Sequence, residues 1–189
     1  MSEAAADTVA KLPKIELHVH FEGCIGPEML AAVSAGRKFA KGAVEDLYRF
    51  DDFPGFLKAY SRVMDVLDEP ADFRLAARGI ANALDRRNVV YVEFIFTPLP
   101  HIRRGLDHNR VIEAILRGLD DARGDGAALE SAFIYDTVRQ WGPQAAEDSA
   151  EIAVGDLNQG LPVVGFGVGG DELGCPAAEL RPAFQLAAD

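Results

Sequence analysis

Leu12-Pro13-Lys14-Ile15-Glu16-Leu17-His18-Val19-His20-Phe21-Glu22-Gly23 is the stretch on which the fold of this chain turns. Apolar and polar residues alternate through it and β-branched residues are present, which is the pattern of a strand. Gly23 and Gly26 break the strand. Pro27 suits the first position of a helix that runs through Met29, Leu30, Ala32 and Val33 to about Ala35. His18 and His20 are two residues apart, so on a strand their side chains leave the same face. Both sit at the strand's C-terminal end, where parallel α/β folds place their sites. Neutral imidazoles are good zinc ligands, and two converging ones supply half of a typical ligand set. Spacing alone favours ordinary core or surface histidines over a metal pair, and the position at a strand end before Glu22-Gly23 strengthens the metal reading. Glu22 continues the same face by one more step of two. It can serve as a metal ligand, a base or a substrate acceptor, or simply as a charge favoured by the dipole of the helix that starts at Pro27.

Outward from this strand, residues 1–12 read as a flexible lead-in, disordered or frayed, and 37–50 are mixed. Residues 53–67 and 72–87 have helical apolar spacing, the second with Phe73, Ala76, Ala77, Ile80 and Leu84 on one face. Val89-Val90-Tyr91-Val92-Glu93-Phe94-Ile95-Phe96 is the near-continuous apolar strand of a buried parallel sheet, stopped by Pro98 and Pro100. A helix over 109–122, a strand over 129–137, a helix over 143–156, a short strand over 161–166 and a last helix over 176–188 follow. Alternation of this kind implies parallel strands joined by right-handed crossovers. Two architectures fit it: an open doubly wound sheet, or the first half of a (β/α)₈ barrel, which needs about 250 residues when complete.

The 189 residues carry a net charge of -11 and are 49% hydrophobic. A core is affordable, whereas a phosphate-binding surface for nucleic acid or for an anionic membrane is disfavoured. No apolar run reaches about 18 residues, and Met1–Lys11 lacks the basic and apolar regions of a signal peptide. A cytoplasmic protein with a small-molecule partner is expected. Cys24 and Cys175 are far apart and form no CxxC, so they read as idle or buried thiols. Gly165 to Gly170 matches GxGxxG formally. It comes at the fourth strand rather than the first, which favours a tight loop or a close ligand approach over a dinucleotide site. Glu93 in its apolar strand must be paired or protonated. His101 and His108 read as solvated loop residues. Arg139 and Trp141, after the third strand, suit a site mouth or ordinary packing.

Three stretches taken together resemble the adenosine deaminase family of the amidohydrolase superfamily. They are Leu12 to Gly23, Val90-Tyr91-Val92-Glu93-Phe94-Ile95-Phe96-Thr97-Pro98, and Val163-Val164-Gly165-Phe166-Gly167-Val168-Gly169-Gly170-Asp171-Glu172. The resemblance implies a TIM-type (β/α)₈ metal-dependent hydrolase barrel, of which 13–189 would be about the first four βα units. It implies that His18 and His20 are Zn2+ ligands, with His20 also near the substrate. Glu22 would accept a hydrogen bond from a ribose hydroxyl, and the Gly170 N–H would meet a purine ring nitrogen. Phe56, Leu57 and Tyr60 would belong to an apolar lid. The implied chemistry is hydrolytic deamination, in which a zinc-activated hydroxide attacks C6 of the purine.

The third histidine, the aspartate and the glutamate proton donor of that chemistry are expected beyond Asp189, so no catalytic residue is assigned within the chain. Ile95 stands where the family often has Arg, Gly167 where it often has Asp, and Glu22 where the nearest adenosine deaminases have Asp. These departures keep modified nucleosides such as aminodeoxyfutalosine open as substrates. Four βα units cannot close a barrel, so the first and fourth strands would be open edges. The inner face would expose Leu17, Phe94 and Val164. The chain by itself is therefore expected to be inactive and to self-associate. Alternatives are a non-catalytic truncated or split deaminase awaiting a complementing C-terminal half, and an HxH amidohydrolase acting on a non-purine amide or ring.

Overall fold

A computed structural model describes residues 3–34, 43–172 and 175–188. The chain runs α1 (Glu3–Lys11), β1 (Lys14–His20), α2 (Pro27–Ser34), α3 (Ala43–Leu47), α4 (Phe53–Met64), α5 (Pro70–Asp85), β2 (Val89–Phe96), α6 (Pro98–Arg103), α7 (His108–Gly124), β3 (Glu130–Val138), α8 (Gly142–Asn158), β4 (Val163–Gly169) and α9 (Arg181–Ala188). Short 3₁₀ turns occupy Glu22–Cys24, Arg139–Trp141 and Ala177–Leu180. The helix end expected near Ala35 lies outside the described residues. No described helix is long and apolar enough to cross a membrane.

The four strands form one sheet in the order β1-β2-β3-β4, with β3 and β4 parallel. A doubly wound sheet reverses its strand order at a switch point, whereas a (β/α)₈ barrel takes its strands in chain order. The unreversed order therefore identifies an arc of four βα units of the barrel type.

The chain divides into two compact units. The first comprises Met1–Glu16, Phe21–Tyr91 and Leu106–Glu130. Its centre is the packing of α5 on α7. Phe73, Ala76, Ala77, Ile80 and Leu84 of α5 are buried, as are Val111, Ile112, Ile115 and Leu119 of α7. Gly118 permits the close approach, because a Cβ there would run into the Arg74 carbonyl and the Ala77 methyl. Two bidentate ion pairs clamp the same helices: Arg74 to Asp121 at 2.7 and 2.9 Å, and Arg78 to Asp125 at 2.7 and 2.8 Å. The start of α5 is fixed by Pro70 and by the Asp72 carboxylate, which accepts from the N–H groups of Asp68 and Glu69.

Within the lead-in, Glu3–Lys11 is helical. Its alanines favour helix, and Asp7 pairs with Lys11 at 2.7 Å across one turn. The end of α1 is tied to the entry of β2: Asn88 Nδ2 donates to the Lys11 carbonyl at 2.6 Å, and the Lys14 ammonium donates to the Ala10, Leu12 and Arg87 carbonyls.

The second unit comprises Leu17–His20, Val92–Gly105 and Ser131–Asp189, so it holds the C-terminal ends of all four strands. Phe94 packs on Phe133 with ring centres 6.0 Å apart, and Phe96 on Tyr135 at 5.8 Å. On β4, Phe166 and Val168 pack on Ala146 and Ala150 of α8 and on Leu180 and Ala183.

This arrangement corrects the expected inner face. Phe94 is fully buried, and it lies on the same side as Tyr135, whose hydroxyl reaches Asp156 of α8. Phe166 of β4 likewise packs on helices. Phe94 is thus on the helix-facing side; Leu17 is 55% exposed and Val164 57%, as expected.

One further difference has a local cause. The strand expected over 161–166 runs on through the glycines to Gly169, with Gly165 and Gly167 paired to Ile134 and Asp136. Pro98 and Pro100 stop the strand as expected, with β2 ending at Phe96. They stand in the first turn of α6, where a missing N–H costs nothing.

Candidate functional site

β1 delivers His18 and His20 from one side of its C-terminal end, as the two-residue spacing requires. Their ring centres are 5.3 Å apart with planes at 66°; His18 is exposed and His20 half-buried. Two imidazoles so disposed fit as two ligands of a zinc ion. Among the described residues no group of three or more His, Cys, Asp or Glu side chains gathers in a ligand-like cluster. The pair thus fits part of a metal site.

In the same unit, β2 and β3 bring together two buried polar residues that the sequence did not single out. Thr97 Oγ1 donates to Asp136 Oδ1. Asp136 is the one charged residue in the run Phe133-Ile134-Tyr135-Asp136-Thr137-Val138, and that was the available signal. A Cβ on Gly169 would sit 3.0 Å from Asp136 Oδ2, so the glycines of β4 make room for this carboxylate. Gly170 follows with φ +103°, and a side chain there would overlap the Gln140 amide. Glycine is therefore required at the position expected to offer its N–H to substrate. Glu93 is half-buried.

Arg139 lies just past β3, in the turn that leads into α8. Its side chain is only 10% exposed and meets Glu172 at 3.2 Å. Its Nε and Nη1, and the Thr137 hydroxyl, have no hydrogen-bond partner among the described residues. Arg103 lies 4.0 Å over the Trp141 ring. His101 is buried rather than solvated. It stacks on Phe96 at 5.6 Å and its Nδ1 lies 2.8 Å from Arg104 Nη2. His108 is the first residue of α7.

Glu22 lies in the first unit, in the 3₁₀ turn that follows β1. It is 1% exposed and accepts a hydrogen bond from the Tyr60 hydroxyl of α4 at 3.1 Å. Tyr60 continues an aromatic run along α4, with Phe56 6.0 Å from both Phe53 and Tyr60. Cys24 ends the turn as a free thiol. Burial first, then the charges of Glu16 and Glu22, push its pKa up to about 11.

An arc of the barrel, with paired imidazoles at the end of its first strand, defines the class. The model of the family described as adenosine deaminase matches residues 13–189, and the chain belongs to that family. It is 33% identical over 187 residues to aminodeoxyfutalosine deaminase of Streptomyces avermitilis, spanning 95% of this chain and 51% of that protein. It is likewise 33% identical over 191 residues to adenine deaminase of Ralstonia pickettii, spanning 97% of this chain and 55% of that protein.

Among solved structures, adenine deaminase from Arthrobacter aurescens superposes with a TM-score of 0.79 at 26% identity, covering 93% of this chain and 54% of that one. An amidohydrolase from Burkholderia ambifaria with bound Zn gives a TM-score of 0.86 at 22% identity, covering 100% of this chain and 52% of that one. The chain spans about half the length of the curated relatives it matches.

Proposed function

We propose that this chain supplies the opening strands of a zinc-dependent hydrolytic deaminase acting on adenosine or a related purine. The observation that carries the reading is the His18–His20 pair at the end of β1. These imidazoles would hold the metal. When bound, zinc supplies an activated water at neutral pH for attack on C6 of the purine, with loss of ammonia.

The chain's own residues bind and orient. His20, half-buried, borders the substrate. Glu22 accepts a ribose hydroxyl, and the Gly170 N–H donates to a ring nitrogen. Phe56 and Leu57 of α4 belong to the cover that keeps water from the purine. The proton donor is not assigned to any residue of this chain. The names of the similar proteins put adenine and aminodeoxyfutalosine beside adenosine as substrates to try. A net charge of -11 fits a small-molecule partner better than a nucleic acid or an anionic membrane, and the cytoplasm is the proposed compartment.

Zinc content measured with and without H18A or H20A tests the reading, alongside ammonia release from adenosine, adenine and aminodeoxyfutalosine. Each substitution should lower bound zinc at least tenfold, as expected for loss of a ligand. Full zinc retention in both variants would overturn the metal assignment, and inertness toward every purine tried of the zinc-loaded chain joined by a complementing C-terminal half would overturn the substrate assignment.

A second reading is favoured by one observation. Ile15 and Leu17 on β1 and Val164 on β4 are 62%, 55% and 57% exposed, and these are the two outer strands of the sheet. Strand edges with exposed apolar residues take a covering partner readily. On this reading the chain is non-catalytic alone and acts with a complementing C-terminal half. Recovery of zinc and activity only on co-expression with such a half would establish it.

A further inference from the structure

We infer that Tyr60 positions Glu22 and thereby sets whether a ribose-bearing purine is preferred over the free base; this rests on the reading of Glu22 as the acceptor of a ribose hydroxyl. Glu22 is withdrawn from water at 1% exposure. A carboxylate there needs fixed donors in place of solvent. One is the Tyr60 hydroxyl, which donates to Oε2 at 3.1 Å from a helix 38 positions further along the chain.

The helix that carries Tyr60 is anchored independently of this bond. Asp52 caps it by accepting from the Gly55 N–H at 2.8 Å, Pro54 stands in its first turn, and Val63 and Met64 are buried at its far end. The residue that follows the Glu22 turn is held as well: the Tyr48 hydroxyl donates to the Ile25 carbonyl. Two phenols from separate segments therefore fix the short turn after β1. A glutamate has one more rotatable bond than an aspartate, and holding it in one rotamer costs conformational entropy. The Tyr60 bond removes that freedom before substrate arrives, so the orientation need not be selected at the moment of binding.

Tyr60 is thus a positioning residue: its effect on substrate passes through Glu22. It should act on ligands that carry a ribose and not on the base alone. The test measures the affinity of the purified zinc-loaded protein for inosine and for hypoxanthine by calorimetry, with Y60F, Y60Q and E22A beside the unmodified chain. Adenosine and adenine kinetics of the same variants, co-expressed with a complementing C-terminal half, accompany the binding data.

In Y60F the inosine-to-hypoxanthine affinity ratio should fall about tenfold, the scale of one hydrogen bond to a charged group. The loss for adenosine should appear mainly in KM rather than in kcat. Y60Q, which restores a donor, should recover part of the ratio. An unchanged ratio in Y60F, with E22A lowering it, overturns the positioning role and leaves Glu22 as the ribose acceptor. An unchanged ratio in E22A overturns the ribose reading of Glu22 itself, and the inference with it. Equal weakening of inosine and hypoxanthine in Y60F, or no recovery in Y60Q, marks Tyr60 as merely structural and likewise overturns the inference.

Discussion

The Tyr135 hydroxyl donates to Asp156 Oδ2 at 2.6 Å, joining the middle of β3 to the last turns of α8 with both residues buried. Burial, with the hydrogen bond and charge of Asp156, raises the phenol pKa well above its ordinary value, so the donor stays protonated through any working pH. Y135F removes the donor and leaves a buried carboxylate less satisfied. Stability should fall by about 2–3 kcal/mol, the cost of a buried charged group losing a hydrogen bond. The urea midpoint of Y135F against the unmodified chain measures it.

The thiol of Cys24 should be slow to alkylate. With its pKa raised to about 11 from an ordinary 9.0, it is almost wholly protonated at pH 8. Native-state iodoacetamide labelling of a C175S variant, followed against pH, should have its midpoint near 11. The linked stability has the matching sign: it is fully present below pH 9 and is lost as pH rises toward 11, where the unfolded chain ionises first.

The α5–α7 clamps should make a contribution that disappears in acid. Hydrogen bonds from Arg74 and Arg78 hold the Asp121 and Asp125 carboxyls below their ordinary value of 3.8. Depressed folded-state values mean that the stabilisation is present above 3.8 and is lost as pH falls through the lower values. The urea midpoint of D121N/D125N should lie below that of the unmodified chain from neutral pH to about 4 and merge with it at lower pH. Both pairs are solvent-exposed, so the difference should also shrink in high salt.

The outer strands should govern association. L17K and V164K place charge on exposed positions of β1 and β4, where lysine discourages edge pairing. Light scattering of the purified 189-residue chain should show self-association that the double variant reduces. Equal association in both would locate the sticky surface elsewhere.

Local periodicity was enough to read β1, β2, α5 and α7, because one buried face leaves a repeating mark in the sequence. It gave the right spacing for His18 and His20, since period-2 geometry is a property of the strand itself. It failed where a residue type has two uses. The glycines of β4 look like a loop, yet they lie in the ladder under Asp136. The prolines after β2 do stop that strand, but their second use, in the first turn of α6, does not show in the local pattern. Phe94 lies on the side of the sheet opposite to the one expected, because alternation says which residues share a face and not which face meets the helices. Asp136 and Thr97 carry no local mark for a related reason: they come from segments 39 residues apart.

The sequence by itself determined the βα alternation, the paired imidazoles at a strand end and, through its three motifs, the family. Those features rest on local spacing and residue chemistry, which travel with the chain. Only the tertiary structure decided the unreversed strand order, the burial of Glu22 and its bond to Tyr60. Each of these depends on which distant segments meet, and no local pattern encodes a contact made across 38 residues.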